Sequence, residues 1–396
     1  EEEEDKRTVL GALASIADKV GAGVAERLPT DGLVSPEQKR VIFFMYERRI
    51  RRTSTLEKVF EYFASKEGED GTRNMTPNDL MRAVIPVFPP EDSSMLRSGN
   101  LKGEREDASC TETSKQTTSE FFQLFDTDGD GLISFAEFSL FTSMLRIPEQ
   151  FFEAAFGIFD IDGSGSVDLA EFQHMMKVMS SNTRAGASSI GQRTGLKITR
   201  EIQQQKGLIS LFFGPNGDRL LSRDQFKDFL TRLQNELVRL EFSHYDTRNQ
   251  GSISQRDFAM SMVAAAKTSH VAKLVTRVDE LTFPSDPKDR ITQEQFRAFS
   301  IMLTRLEKLR FALKMLKGHT PLLRRDNFAE WVQKMCNVKL APNVIDVVFK
   351  VFDADGSGAL TATEFVEVVE RKRIDEDDPK PPSLFECLHA CTKSTQ

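Results

Sequence analysis

Phenylalanine sets the rhythm of this chain. Phe121, Phe122 and Phe125 crowd one short segment, Phe156 and Phe159 stand three apart in another, and Phe349 and Phe352 repeat that spacing near the far end. Residues three apart share a helical face, so each segment predicts the closing turns of an amphipathic helix. A polar stretch follows each one, holding a single central apolar residue, Ile133, Val167 or Leu360. One more phenylalanine, Phe138, Phe172 or Phe365, then opens a second helical pattern. Helix, polar loop and helix, repeated with the same landmarks, predict an all-α protein built from one recurring unit.

The polar stretches read DTDGDGLISFAE, DIDGSGSVDLAE and DADGSGALTATE, and each matches the twelve-residue EF-hand calcium loop. Calcium is a hard cation that takes six to eight oxygens in a flexible geometry, so its ligands must converge from one short turn. In the first loop Asp126, Asp128 and Asp130 offer carboxylates. Leu132 offers a backbone carbonyl, Ser134 sits where a water often bridges, and Glu137 closes the site, with Gly131 at the tight bend. The second loop uses Asp160, Asp162, Ser164, the Ser166 carbonyl, Asp168 and Glu171. The third uses Asp353, Asp355, Ser357, the Ala359 carbonyl, Thr361 and Glu364. With one fewer acidic ligand, the third is expected to bind more weakly. The first two loops begin 34 residues apart (126 to 160), which predicts that they pack face to face and join by a short β-pairing.

Damaged copies surround these loops. MTPNDLMRAV, Met75 to Val84, looks like the outgoing half of a hand that has lost its ligands. GPNGDRLLSRDQF has Gly214 where the first aspartate belongs, Arg219 at the bend and Gln225 at the close. DTRNQGSISQRDF keeps Asp246 and Gly251 but carries Arg248 and Gln250, and two further remnants centre on Ile291 and Leu323. The last complete loop is expected to pair with the remnant near Leu323. The fold class is therefore all-α: two EF-hand lobes of helix–loop–helix pairs with short β-pairings between loops, after a helical N-terminal region and before a C-terminal helix.

The expected division is a flexible lead-in (1–36), a helical region with a half-hand and a mobile connector (37–117) and a lobe with two complete hands (118–180). A linker (181–197), a lobe of damaged hands and one complete hand (198–373) and a tail (374–396) follow. The 396-residue length suits such a multi-part chain, and 39% hydrophobic residues suffice for buried cores. The net charge of −7 resides partly in the loops and gives no reason to expect nucleic acid as a partner. No apolar run is long enough to span a bilayer, and no catalytic motif or small-molecule substrate site is evident, so a non-enzyme is expected. The chain opens on EEEE rather than Met, which reads as a processed or trimmed form.

Within the helical run from Glu37, Arg48, Arg51 and Arg52 recur at helical spacing and can share one face, with Arg49 beside it. The residues alone leave two readings, a binding face or a solvated one. Ser54 and Glu57 read as a capping box for the next helix. In the tail Cys387 and Cys391 lie four apart near His389, but no fourth metal ligand is evident. Cys336 reads as a packed core residue, and the scattered histidines as structural.

The segment YERRIRRTSTLEKVFEYFA (Tyr46 to Ala64), MTPNDLMRAV and the alternation of complete and ruined hands resemble the mitochondrial calcium uptake (MICU) family over roughly residues 40–395. The complete loop at Asp126 to Glu137 departs from animal members and is similar to plant members. The resemblance implies a sensor in the intermembrane space, peripheral to the inner membrane and assembled into homo- or hetero-oligomers. Such a sensor caps the pore-forming subunit of the calcium uniporter at low calcium and releases it when Ca2+ binds. It also implies that Arg49 and Arg51, with added charge from Arg48 and Arg52, face an acidic ring at the pore mouth. Finally, it implies that a tail cysteine, Cys391 in better register than Cys387, forms an intermolecular disulfide. A soluble calcium buffer or scaffold is the alternative, and an EF-hand-linked enzyme or carrier a third.

Overall fold

The structure, a computed structural model, describes residues 36–67, 72–90, 126, 130–145, 147, 152–181, 206–284, 286–315, 323–361, 364–365 and 368–369. The expectations on the lead-in, the connector from 91, Asp128, the linker beyond Ser181 and the tail with Cys387 and Cys391 lie outside the described residues.

Helix α1 (Pro36–Thr53) leads into α2 (Leu56–Phe63). The cap of α2 is Thr55, whose hydroxyl accepts the Lys58 amide, and not the expected Ser54. Thr55 holds the extended backbone that a cap residue needs, one position further along. Strands β1 (Lys66–Glu67) and β2 (Arg73–Asn74) pair antiparallel, and α3 (Pro77–Val84) follows. Its capping box joins Thr76 and Asp79, with Pro77 in the first turn, where a missing amide costs nothing.

Beyond the first complete loop come α4 (Phe135–Leu145), α5 (Phe152–Phe159), β3 (Ser166–Val167) and α6 (Leu169–Ser181). Then follow α7 (Lys206–Phe213), β4 (Leu221–Ser222) and the long α8 (Arg223–Tyr245). The next hands comprise β5 (Ser252–Ile253), α9 (Gln255–Ala264), α10 (Thr268–Glu280), β6 (Ile291–Thr292) and α11 (Gln293–Thr304). Last come α12 (Leu306–Met315), β7 (Leu323–Arg324), α13 (Arg325–Cys336), α14 (Pro342–Phe352) and β8 (Ala359–Leu360).

The architecture is helical, with helix–loop–helix units joined two by two through short antiparallel pairings. The choice of partners corrects one expectation. The two complete loops at 126–137 and 160–171 do not pair with each other. Ile133 bridges Met75 in the half-hand upstream, and Ser166–Val167 pairs with Leu221–Ser222 in the damaged hand downstream. Each of the two loops thus finds its strand partner outside the segment 118–180. Nothing in a central apolar residue specifies which other loop it meets, so nearness in sequence was a poor guide. The third complete loop pairs as expected, Leu323–Arg324 with Ala359–Leu360, and the two damaged loops between pair through Ser252–Ile253 and Ile291–Thr292.

Phenylalanines fill the interior of each pair. Phe328 meets Phe349 and Phe365 at 5.9 and 5.4 Å between ring centres, and Phe258 meets Phe296 and Phe299 at 6.0 and 5.1 Å. The near-perpendicular approaches place ring edges over ring faces, the favoured quadrupole geometry. Segment 85–90 is held from both sides. Phe88 stacks on Phe44 with centres 4.0 Å apart, its amide donates to the Tyr245 hydroxyl, and His244 Nε2 lies 2.9 Å from its carbonyl. His244 thus takes a structural role, and Cys336 is buried in the core with its thiol pushed up by burial.

Candidate calcium centres

Each loop is shaped by its own side chains before any ion is considered. The first aspartate receives the amide of the glycine at the bend: Asp126 from Gly131 at 2.8 Å, Asp160 from Gly165 at 2.9 Å and Asp353 from Gly358 at 2.9 Å. Those glycines have φ of 77°, 84° and 72°, a left-handed conformation that glycine takes without steric cost. The turn folds each loop back over the aspartate, directing the polar groups that follow toward one centre.

In the second loop Asp160, Asp162 and Glu171 bring carboxylate oxygens within 4.8 Å of one another, and Asp353, Asp355 and Glu364 do the same in the third. Ser164 Oγ donates to the Ser166 carbonyl at 2.8 Å and Ser357 Oγ to the Ala359 carbonyl at 3.0 Å, so these oxygens converge as well. In the first loop Asp126 and Glu137 are buried, Leu132 follows directly on the bend, and Asp130 Oδ1 accepts the Leu132 amide. Hydrogen bonds from Ser164 hold Asp162 below the ordinary carboxylate range, and bonds from Ser357 do the same for Asp355. A cluster of carboxylates and neutral oxygens in one turn is the donor set of a hard divalent cation.

The closing glutamates are held in two ways. Glu137 accepts the Ser134 amide and hydroxyl at 2.8 and 2.9 Å, and Glu364 accepts the Thr361 amide and hydroxyl at 3.0 and 2.8 Å. Glu171 instead spans its loop, accepting Ile161 and Asp162 amides through Oε1 and the Asp168 amide through Oε2. The pairing of ninth and twelfth positions is a capping box for the outgoing helix. Two damaged hands retain it, as Ser222 with Gln225 and Thr292 with Gln295. Loops that have lost their ligands therefore still start their helices.

The damaged loop at 214–225 closes its turn through the backbone, the Gly217 amide donating to the Gly214 carbonyl at 3.2 Å and the Arg219 amide to the Phe213 carbonyl at 3.0 Å. The Arg219 side chain lies across Gly214, so a Cβ there would meet its Cδ at 3.1 Å. An arginine stem thus occupies the space beside the position where the complete loops carry their first aspartate.

The arginine helix departs from the expectation of one shared outward face. Arg51 is buried, donating through Nη2 to Glu47 at 2.8 Å and through Nε to the Arg82 carbonyl at 2.8 Å. Arg82 closes the triad on Glu47 at 2.6 Å, and both guanidiniums lie over the Phe63 ring. Burial draws the Arg51 pKa down to about 10, against the attraction of Glu47. Arg48 is also buried and donates to the Ala266 carbonyl, while the half-buried Arg52 donates to Thr268 Oγ1 at 3.2 Å. Arg49 is exposed. The helical spacing of charge was legible, but the internal acceptors that draw Arg48 and Arg51 inward were not. Glu47, four residues before Arg51, was the one local clue. Arg82 left none.

The EF-hand domain pair family matches residues 119–177, and a second EF-hand domain pair family matches residues 324–372. The 119–177 match treats consecutive hands as one pair, whereas the strand pairing divides them between two. The "Calcium uptake protein, mitochondrial" of Arabidopsis thaliana is 44% identical over 343 residues, covering 86% of this chain and 68% of that protein. The human "Calcium uptake protein 1, mitochondrial" is 29% identical over 361 residues, covering 89% and 74%. The crystal structure of EFHA2 in its Ca-binding state has TM-score 0.55 at 26% identity, covering 82% of this chain and 99% of that one. The apo structure of the mitochondrial calcium uniporter protein MICU2, at TM-score 0.56 and 24% identity, covers 86% and 96% and shares the fold.

Fold and loops together define an EF-hand protein that binds Ca2+. The chain belongs to the mitochondrial calcium uptake (MICU) protein family.

Proposed function

We propose that this protein regulates calcium uptake into mitochondria by capping the pore-forming subunit of the uniporter at resting calcium and withdrawing when its loops fill. The ligands assigned to that switch are the carboxylates and loop oxygens of 126–137, 160–171 and 353–364. In this reading the protein works in the intermembrane space as an oligomer against the inner membrane, with Cys391 or Cys387 linking subunits.

One observation carries the reading: α1 carries Arg49 on its exposed surface, and Arg48, Arg51 and Arg52 fasten that helix to the Ala266 carbonyl, α3 and α10. A guanidinium on an anchored helix suits a carboxylate ring, because its planar donors match carboxylate geometry and its charge opposes the cation that would otherwise enter. The buried arginines place that helix and do not contact the pore themselves. Calcium must then favour one arrangement of the helix over the other, since a ligand shifts an equilibrium only by its differential affinity.

The test is Arg49→Glu, measured as uniporter current at resting calcium with calcium binding followed calorimetrically. The expected result is lost resting inhibition with unchanged calcium affinity. Full inhibition in the variant would remove the pore-capping role and favour a buffer or scaffold.

A further inference from the structure

We propose that α10 is a strut joining the third calcium loop to the arginine helix, with Arg277 as the positioning residue at the loop. Arg277 reaches from α10 to the end of α14, where Nε donates to the Lys350 carbonyl at 3.0 Å and Nη2 donates to the Asp353 carbonyl. The last carbonyls of a helix have no partner in their own ladder, and a basic side chain satisfies them well. Asp353 is also the first residue of the loop. A side chain from another hand pair therefore fixes the backbone from which the first carboxylate springs.

The opposite end of α10 meets the same loop where it leaves. The Lys267 amide donates to the Val368 carbonyl at 2.8 Å, and Ala266 forms an isolated antiparallel bridge with Val369. Phe365 follows directly on the closing Glu364, and Val368 and Val369 come shortly after. They are fastened by the Val369 amide on the Phe365 carbonyl at 2.9 Å and by Phe365 packed on Phe328 and Phe352. The exit of the loop is thus fastened beside Ala266 and Lys267, at the far end of α10 from Arg277.

That junction is where α1 is held. Arg48 donates to the Ala266 carbonyl and Arg52 to Thr268 Oγ1. One helix of 13 residues is gripped by the start of the loop at one end, and by its exit and the arginine helix at the other. A helix carries displacement along its axis because each turn is hydrogen-bonded to the next. The strut rests on the reading that Asp353 to Glu364 takes calcium, and it stands apart from whether α1 meets a pore.

The experiment uses the full chain with Glu137→Gln and Glu171→Gln, so that the third loop alone titrates. Calorimetry reports calcium binding, and amide hydrogen exchange over 36–53 reports α1. In this parent, calcium is expected to change α1 exchange at least about threefold. Arg277→Gln is expected to keep a saturable isotherm while α1 stops responding, and Arg277→Lys, which keeps the charge without the fork, to respond in between. Coupling is reciprocal, so Arg48→Gln is expected to shift third-loop affinity about fivefold, with partial rescue by Arg48→Lys. Should Arg277→Gln fail to fold, Thr268→Val, which removes only the Arg52 contact, is expected to weaken the response. A parent that binds calcium with no change at α1, or an α1 response that survives Arg277→Gln, overturns the strut. A flat isotherm in the parent defeats the assignment of the loop instead.

Discussion

Met75 and Ile133 exchange both backbone hydrogen bonds, each amide donating to the other's carbonyl at 2.8 Å. This isolated bridge joins the first complete loop to a half-hand that lost its ligands, and it makes the damaged unit a support for the complete one. Met75→Pro deletes one donor of the bridge. Calorimetry is expected to show weaker calcium binding at the loop 126–137, with the sites at 160–171 and 353–364 unchanged. Three unaltered sites in the variant would show that the half-hand does not support its partner.

The damaged loop at Gly214 is expected to resist simple repair. Gly214 has φ of 76°, and the Arg219 stem occupies the space over it. Gly214→Asp with Gln225→Glu restores two ligand types, yet the new carboxylate would stand in a left-handed backbone against Arg219. The pair is expected to add no calcium site. Adding Arg219→Gly frees the bend and is expected to add one, read as an increase in calorimetric stoichiometry.

The closing glutamates carry the proposed switch. Glu171 and Glu364 each share a cluster with two aspartates within 4.8 Å, so a lysine at either position replaces a ligand with a repelling charge. Glu171→Lys with Glu364→Lys is expected to leave mitochondrial calcium uptake at its low-conducting level after a calcium pulse. A normal response in mitochondria carrying the double variant would contradict the assignment.

Glu47 pairs with two guanidiniums inside the protein, those of Arg51 and Arg82. Removing one partner of a buried ion pair strands the others in a low-dielectric site. Glu47→Ala is therefore expected to cost about 3–5 kcal/mol in urea unfolding. A loss near that of an exposed pair, under about 1 kcal/mol, would show that water reaches the triad.

Alkaline pH reports the same interior. Burial, first among the causes, raises both Tyr62 and Tyr245 above the ordinary 10.0. A raised acid keeps its proton longer in the folded chain, so its stabilisation is complete below about pH 10 and is lost as pH rises further. Arg51 works in the opposite sense. Its pKa falls from 12.5 to about 10, so between those values the unfolded chain binds more protons and stability rises with pH. Two tyrosines against one arginine predict a net loss above pH 10. Tyr62→Phe keeps the ring and is expected to reduce the slope by up to about 1.4 kcal/mol per pH unit in urea midpoints from pH 7 to 11.

The sequence by itself determined the calcium loops, because every ligand of one site lies within a dozen consecutive residues and the ion's needs fix their spacing. It also determined the repeated helical unit, since the phenylalanine spacing repeats at each loop. Only the tertiary structure decided the partners of the first two complete loops and where the arginines go. Met75 chooses Ile133, Arg51 finds the Arg82 carbonyl 31 residues away, and Arg48 finds the Ala266 carbonyl 218 residues away. Such choices depend on which groups the whole chain buries together, and a buried guanidinium goes where acceptors await it. No local pattern records where those acceptors will be.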